Sequence, residues 1–295
     1  MTRRDYFDLF LLSAFWGISF LLIKFAGHDF PPVWVALLRS LFGMMILGLA
    51  MWWQKVPFPP RPLWPMLTLI ALLNNAFPWL MFALGEQSVS SNIASILNAT
   101  TPLFTLLVAV GLGDSRPSRP MWLGVMIGLA GVALTVSGGM QGGQAALPGV
   151  LMILAAAFSY GLGGVIAKKN TAGLTPLSVA GTQLLLSTLL LLPFGLFGAH
   201  PAQVSLQSWG AVIVLGVVGS GLAYLVFYNL LARVSPTQTT AVTYILPIWG
   251  LFWGALAGEH VGAASLLGVA VVLSGVYLMN RRPVLPAGPL ERAAR

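Results

Sequence analysis

The sequence is poor in charge and has no cysteine. Only 7% of its 295 residues are Asp, Glu, Lys or Arg. A soluble domain carries about 25%, so a water-soluble globular fold is excluded. Zero Cys removes disulfides, thiolate metal sites and cysteine nucleophiles. Acids are the scarcer sign, 7 Asp+Glu against 15 Lys+Arg. That surplus carries no basic patch interleaved with aromatics, so nucleic acid is not the expected partner. Metalloprotease H-E-x-x-H, zinc-ligand clusters and a Walker A loop are absent, so no metal, cofactor or ATP hydrolysis is expected. Gly111-Leu112-Gly113-Asp114 matches an intramembrane aspartyl protease string, but a second mid-span aspartate to share the proton is missing. No enzyme activity is expected.

What the chain does have is apolar length: 57% hydrophobic residues and a mean hydropathy of +0.87. A helical span needs about 20 apolar residues. Breaks at polar, Pro and Gly residues predict ten spans: Tyr6–Phe25, Pro32–Trp52, Trp64–Leu84, Ser90–Leu112, Met121–Val136, Gly149–Ala167, Pro176–Phe197, Ser208–Leu231, Pro236–Ala257 and Val261–Leu278. The runs are continuously apolar, without the alternation of barrel strands. The fold class expected is an all-α membrane protein, its surroundings a lipid bilayer. Placing the N-terminus inside sends thirteen Lys and Arg residues to cytoplasmic loops and leaves only Lys24 and Arg39 elsewhere. Both termini are therefore expected in the cytoplasm.

Self-comparison divides the chain. At an offset of 144, Trp16-Gly17 aligns with Tyr160-Gly161, Lys24 with Lys168, Pro32 with Pro176 and Arg39 with Gln183. At 145, Trp79 meets Tyr224, Phe82 meets Phe227, Pro102 meets Pro247 and Gly113-Asp114 meets Gly258-Glu259. The offset returns to 144 for Leu123-Gly124-Val125 against Leu267-Gly268-Val269. Two five-helix repeats follow, residues 1–140 and 141–282, with a cytoplasmic tail at 283–295. Five is odd, so the second repeat crosses in the opposite sense. Inverted repeats suit alternating access, since each half can adopt the other's conformation.

On these residues the chain resembles the EamA-type transporters of the drug/metabolite transporter superfamily, over roughly residues 5 to 280. The resemblance implies ten helices, a central cavity between the halves, and export of amino acids or related metabolites, as in bacterial aromatic amino acid exporters. It also implies the inner membrane. A departure is Asp114 where the family usually has Glu.

Polar side chains in hydrocarbon are costly unless they face protein or water. Ser95 and Asn98 in the fourth span, with Thr240, Thr243 and Tyr244 in the ninth, are therefore candidates to line the cavity. Asn74, Asn75, Trp79, Ser220 and Tyr224 join them from the third and eighth spans, and Trp16 and Tyr160 from the first and sixth. Such a mixture suits a small amphipathic solute. Pro102 and Pro247 each remove a backbone bond, which makes them candidate hinges. Arg39 can attract a substrate carboxylate, snorkel outward, or pair with Glu86. The G-x-x-x-G strings are expected to seat neighbouring helices of one chain, and a monomer is expected. A multispan receptor or assembly factor is the alternative to a carrier.

Overall fold

The computed structural model describes residues 2–113, 118–231, 233 and 242–280. Among them, eight helices are long and apolar enough to cross a membrane. In chain order they are α1 (Arg3–Ala26), α2 (Pro32–Trp53), α3 (Arg61–Gly85), α4 (Ser91–Gly111), α5 (Arg119–Gln141), α6 (Leu147–Asn170), α7 (Pro176–Phe197) and α8 (Leu206–Phe227). Two shorter helices follow, α9 (Val242–Leu256) and α10 (Ala263–Asn280). The all-α, multi-span class expected from composition is what forms. Pro stands in the first turn of α2, α5, α6 and α7, where a missing N–H costs nothing. Helix α5 runs to Gln141, five residues past its expected end at Val136.

Helix packing is repeat-like. Helix α1 packs on α8 and α9, and its counterpart α6 packs on α3 and α4. Helices α2 and α7 pack on each other, as do α4 and α9, and α5 and α10. The correspondence extends to atoms. A Cβ on Gly131 of α5 would lie 2.7 Å from the Val272 nitrogen and 3.0 Å from the Gly268 oxygen of α10. A Cβ on its counterpart Gly275 would lie 2.5 Å from the Gly128 nitrogen and 2.5 Å from the Gly124 oxygen of α5. Backbone-to-backbone contact at this seam requires glycine on both sides, so the G-x-x-x-G string at Gly124 and Gly128 seats a helix of the same chain.

Helices α3 and α8 each widen into a π-helical turn, at Leu72–Ala76 and Val217–Leu222. These are the same register in the two halves. The chemistry differs. In α3, Pro78 has no N–H for the Asn74 carbonyl four residues back. In α8 no proline is present, and Gly219 and Gly221 let the turn relax while sitting against Ser19 of α1 and Ile46 of α2. Helix α4 is interrupted at Ala99–Thr100 and resumes at Thr101. Pro102 then sits in a first turn, and the freed Asn98 carbonyl accepts from the Thr101 hydroxyl at 2.8 Å.

Alternate loops meet at opposite ends. At one end, the Ser90 amide donates to the Gln144 oxygen at 2.9 Å, and the Gln144 side chain donates to the His260 oxygen at 2.9 Å. Asp29, between α1 and α2, accepts from the Ser205 amide at 3.0 Å. At the other end, Arg233 donates to Asp5 at 3.0 Å and also pairs with Asp8, and the Ser178 hydroxyl donates to the Pro57 oxygen at 2.6 Å.

Candidate functional site

A cavity of about 610 Å³ lies between the helices. That is within the size range of small-molecule sites. Trp16, Asn74, Trp79, Asn98, Tyr160 and Tyr224, all expected from the sequence, stand in its wall. Aromatic rings dominate it: Trp16 meets Tyr224 edge-on at 6.3 Å and Phe227 at 5.7 Å, while Phe82 meets Tyr160 at 6.2 Å. Polar groups are few, as a site selective for an amphipathic solute requires.

Other expected residues lie elsewhere. Ser95 is fully buried; its hydroxyl donates to the Asn92 oxygen at 2.7 Å and fills the space beside Gly250 of α9. It packs between helices, while Asn98 and, past the break at Ala99–Thr100, Thr101 stand in the wall. Asn75 and Ser220 are repeat counterparts, both fully buried behind the lining. The Asn75 side chain donates to the Tyr224 hydroxyl at 3.2 Å, and the Ser220 hydroxyl accepts from Arg39 Nε at 3.0 Å. The paired π turns bring them there. Asp114 and Thr240 lie outside the described residues, and of Thr243 and Tyr244 only the helical backbone is described. Pro102 opens the second part of α4, and Pro247 lies inside α9.

Arg39 neither snorkels nor pairs with Glu86. It is 7% exposed and stands in the cavity wall, its guanidinium 4.2 Å from the centroid of Trp79. Both Glu86 carboxylate oxygens are buried without a hydrogen-bond partner. The reason is register: the guanidinium settles on Trp79, and Glu86 comes seven residues later, about 10 Å along a helix.

The sequence reading missed Ser19, Phe20, Phe82, Thr101, Lys168 and Gln183 as lining residues. Three of them carried a signal in the repeat. Phe82 and Phe227 are counterparts, as are Lys24 and Lys168, and Gln183 stands where Arg39 does. The π turns had no such signal.

The two ends of the cavity differ. Toward α1–α2, the lining stops at the buried residues Ile23 and Phe82, with Phe20 against Phe82 at 5.6 Å. Beyond them Lys24 Nζ meets Glu259 Oε1 at 2.7 Å. The same carboxylate caps α4, accepting from the Ser91 and Asn92 amides at 2.9 and 3.0 Å and from the Ser91 hydroxyl at 3.0 Å. A helix N-terminus favours negative charge, so lysine and helix hold one carboxylate together. Burial pushes the Glu259 carboxyl up, but Lys24 and the two amides outweigh it, and the net shift is downward. At the other end the lining continues to the exposed Lys168 and to Thr171, Leu174 and Pro176 past the end of α6.

Comparison with known proteins agrees with the repeat-like packing. The family model of the EamA-like transporter family matches residues 6–137 and 147–281, one copy in each half. The chain is 31% identical over 290 residues to the "Uncharacterized inner membrane transporter YedA" of Escherichia coli strain K12, covering 96% of this chain and 92% of that protein. It is 25% identical to a "Probable amino-acid metabolite efflux pump" of Salmonella typhimurium strain LT2, over 94% of this chain and 95% of that one. A solved crystal structure shares the fold at a TM-score of 0.68 and 20% identity, covering 95% of this chain and 97% of its own. Such membership places the protein among carriers of small molecules and not among enzymes. The chain belongs to the EamA-like transporter family, within the drug/metabolite transporter superfamily.

Proposed function

We propose that this protein exports amino acids or related small metabolites across a bacterial inner membrane by alternating access. The observation that carries the reading is the cavity itself: about 610 Å³, walled by repeat counterparts, sealed at the Lys24–Glu259 end and reaching exposed residues at the other. On this reading the chain has ten spans in two inverted halves of five, 1–140 and 141–282. Both termini and the Lys168 end face the cytoplasm, where positive charge is enriched. The structure then corresponds to the state that loads from inside. Pro102 and Pro247 are the hinges, because α4 and α9 pack on each other and carry a proline at the same register, beside the interruption in α4 and inside the helix in α9. The efflux pump of Salmonella supports the direction and the substrate range. A single chain holds the whole cavity, so a monomer suffices.

The test is flux in liposomes reconstituted with the purified chain, loaded with a panel of amino acids and their metabolites. Saturable efflux of at least one of them is expected. Absence of flux for the whole panel, from protein shown to be folded, would leave a receptor or assembly role as the better account.

A further inference from the structure

The acids of this chain can be accounted for one by one. The sequence has 7. Asp5 and Asp8 are paired with Arg233. Asp29 is held by the Ser205 and Ser208 hydroxyls at 2.5 and 2.8 Å. Glu259 is bound to Lys24 and the start of α4. Glu86 is buried outside the cavity wall. Asp114 and Glu291 lie outside the described residues. Among the described residues, then, no carboxylate lines the cavity, and two cations do: Arg39 and Lys168.

Arg39 is the buried one. Its Nε is committed to Ser220 and its face to Trp79. Among the described residues its two terminal nitrogens donate to nothing and no carboxylate forms an ion pair with it. Those nitrogens form the fork that matches the two oxygens of a carboxylate. A cation in a membrane interior is retained only where a partner offsets its desolvation, and it marks a site by default. Its counterpart, Gln183, is neutral and also stands in the wall. The two halves, otherwise matched as Ser220 with Asn75 and Trp79 with Tyr224, thus offer one charged seat and one uncharged one.

We propose that the cavity selects amphipathic organic anions, with Arg39 as the seat of the carboxylate and an amino group on the solute not required. The inference rests on the transport reading and specifies its substrate class. The aromatic wall from Trp16 to Phe227 takes the apolar body. An ammonium group finds no ion-pair partner among the described residues, so it adds little to binding, and a solute that is only a cation is repelled.

The experiment uses the purified full-length chain in detergent, titrated calorimetrically with two matched sets. One is L-phenylalanine, 3-phenylpropionate, L-phenylalaninamide and 2-phenylethylamine; the other is L-leucine, 4-methylpentanoate, L-leucinamide and isopentylamine. In at least one set the amino acid and the plain acid should bind within about fivefold of each other, and the amide and amine about 30-fold or more weaker, the cost of leaving a buried charge unpaired. Arg39→Gln should abolish the preference for acid over amide, while Arg39→Lys retains part of it. Should Arg39→Gln not fold, Ser220→Ala is the second variant, and it should narrow the preference by freeing the guanidinium to rotate. An amide or amine that binds as tightly as its acid would overturn the proposal. So would failure of both plain acids, or an unchanged preference in every folded variant. Any of these results together with efflux of a solute in the liposome panel would leave the transport reading standing while this one falls.

Discussion

The two ends of the cavity are built from the same register of the repeat and have come out opposite. At the sealed end, Phe20 and Phe82 stack edge to face, and Lys24, Glu259 and the start of α4 close above them. At the other end the counterpart of Phe20 is Gly164, Phe227 leans on Trp16, and Lys168 is exposed in the mouth. An aromatic plug and an ion pair are what the sealed end adds. Sequence alone dictates the first difference, since no motion turns Gly164 into a phenylalanine. On the alternating-access reading, the second is one of state. Lys168 and Asp114 are the counterparts of Lys24 and Glu259, and the segment that matches the start of α4 begins at Pro236. An ion pair that moves from one end to the other as the halves exchange conformations would make each closure self-limiting.

The largest effect should come from filling the space both ends share. Asn98 stands in the wall beside the break in α4. Asn98→Trp should reduce flux by about 100-fold or more, because the added ring occupies the cavity and does not overpack a core, where it would instead cost about 1–3 kcal/mol of stability. Flux per folded molecule, with thermal stability measured beside it, separates the two. Retained flux in folded protein would remove Asn98 from the path, and loss of folding would make it a packing residue.

Next in size is the sealed end. Glu259→Gln keeps the shape of the side chain and removes its charge, so it loses Lys24 and most of the attraction to the α4 N-terminus. Charge-assisted hydrogen bonds contribute about 1.5–3 kcal/mol each, part of which is regained from water because Lys24 is 41% exposed. A shift of about tenfold toward opening, or about 1.4 kcal/mol, is the expectation. The chain has no Cys, so a single cysteine at Ile23, buried just inside the seal, reports it cleanly. A membrane-impermeant maleimide applied only from the Lys24–Glu259 side of sealed, oriented vesicles should label Ile23→Cys about ten times faster in the Glu259→Gln background. Equal rates would mean that aromatic packing alone keeps that end shut.

Much of this is legible in the sequence. Apolar run length gave the eight long spans to within a few residues, and the self-alignment named counterparts that the structure packs as counterparts, down to Gly131 and Gly275. The wall was legible where a large aromatic or an amide stood in a span, as with Trp16, Trp79 and Asn98. It was not legible at Ser95, which is buried against Gly250, or in the choice among the three readings open for Arg39. Helical spacing assumes a regular helix and does not reveal a π turn, and it is the π turn of α8 that carries Ser220 to Arg39. That π turn is set by Gly219 and Gly221 in one half and by Pro78 in the other, so no shared residue pattern announced it.

A smaller effect is expected at the mouth. If Lys168 pairs with Asp114 when the Lys168 end closes, Lys168→Ala and Asp114→Asn should each slow turnover about two- to fivefold, the scale of a partly exposed ion pair. The double variant should be no slower than the singles, because the second change removes a partner already lost. Labelling of Ile23→Cys should not speed up in either. Additive losses would show that the two residues act separately and that the ends are not exchanged.

The smallest effect is that of pH, and its sign follows from the same carboxylate. Glu259 is held below the ordinary carboxylate range, the net of burial acting upward and Lys24 and the α4 amides acting downward. Asp29, at the same end, is held low by the Ser205 hydroxyl first and its amide second. For a depressed carboxyl, the stabilisation is complete above the ordinary value and lost as pH falls through the depressed one. The seal should therefore be indifferent to pH between about 6 and 8 and loosen only below the carboxylate range, about 4. Spin labels attached beforehand at His28 and His260, which flank Lys24 and Glu259, would report the distance across the seal without depending on thiol reactivity at low pH. The distribution should broaden toward longer distances on acidification in the parent chain. In Glu259→Gln that component should already be present at neutral pH, and Asp29→Asn should remove most of the remaining acid response. A transition centred near neutrality would mean that some other group, and not these two carboxylates, controls the sealed end.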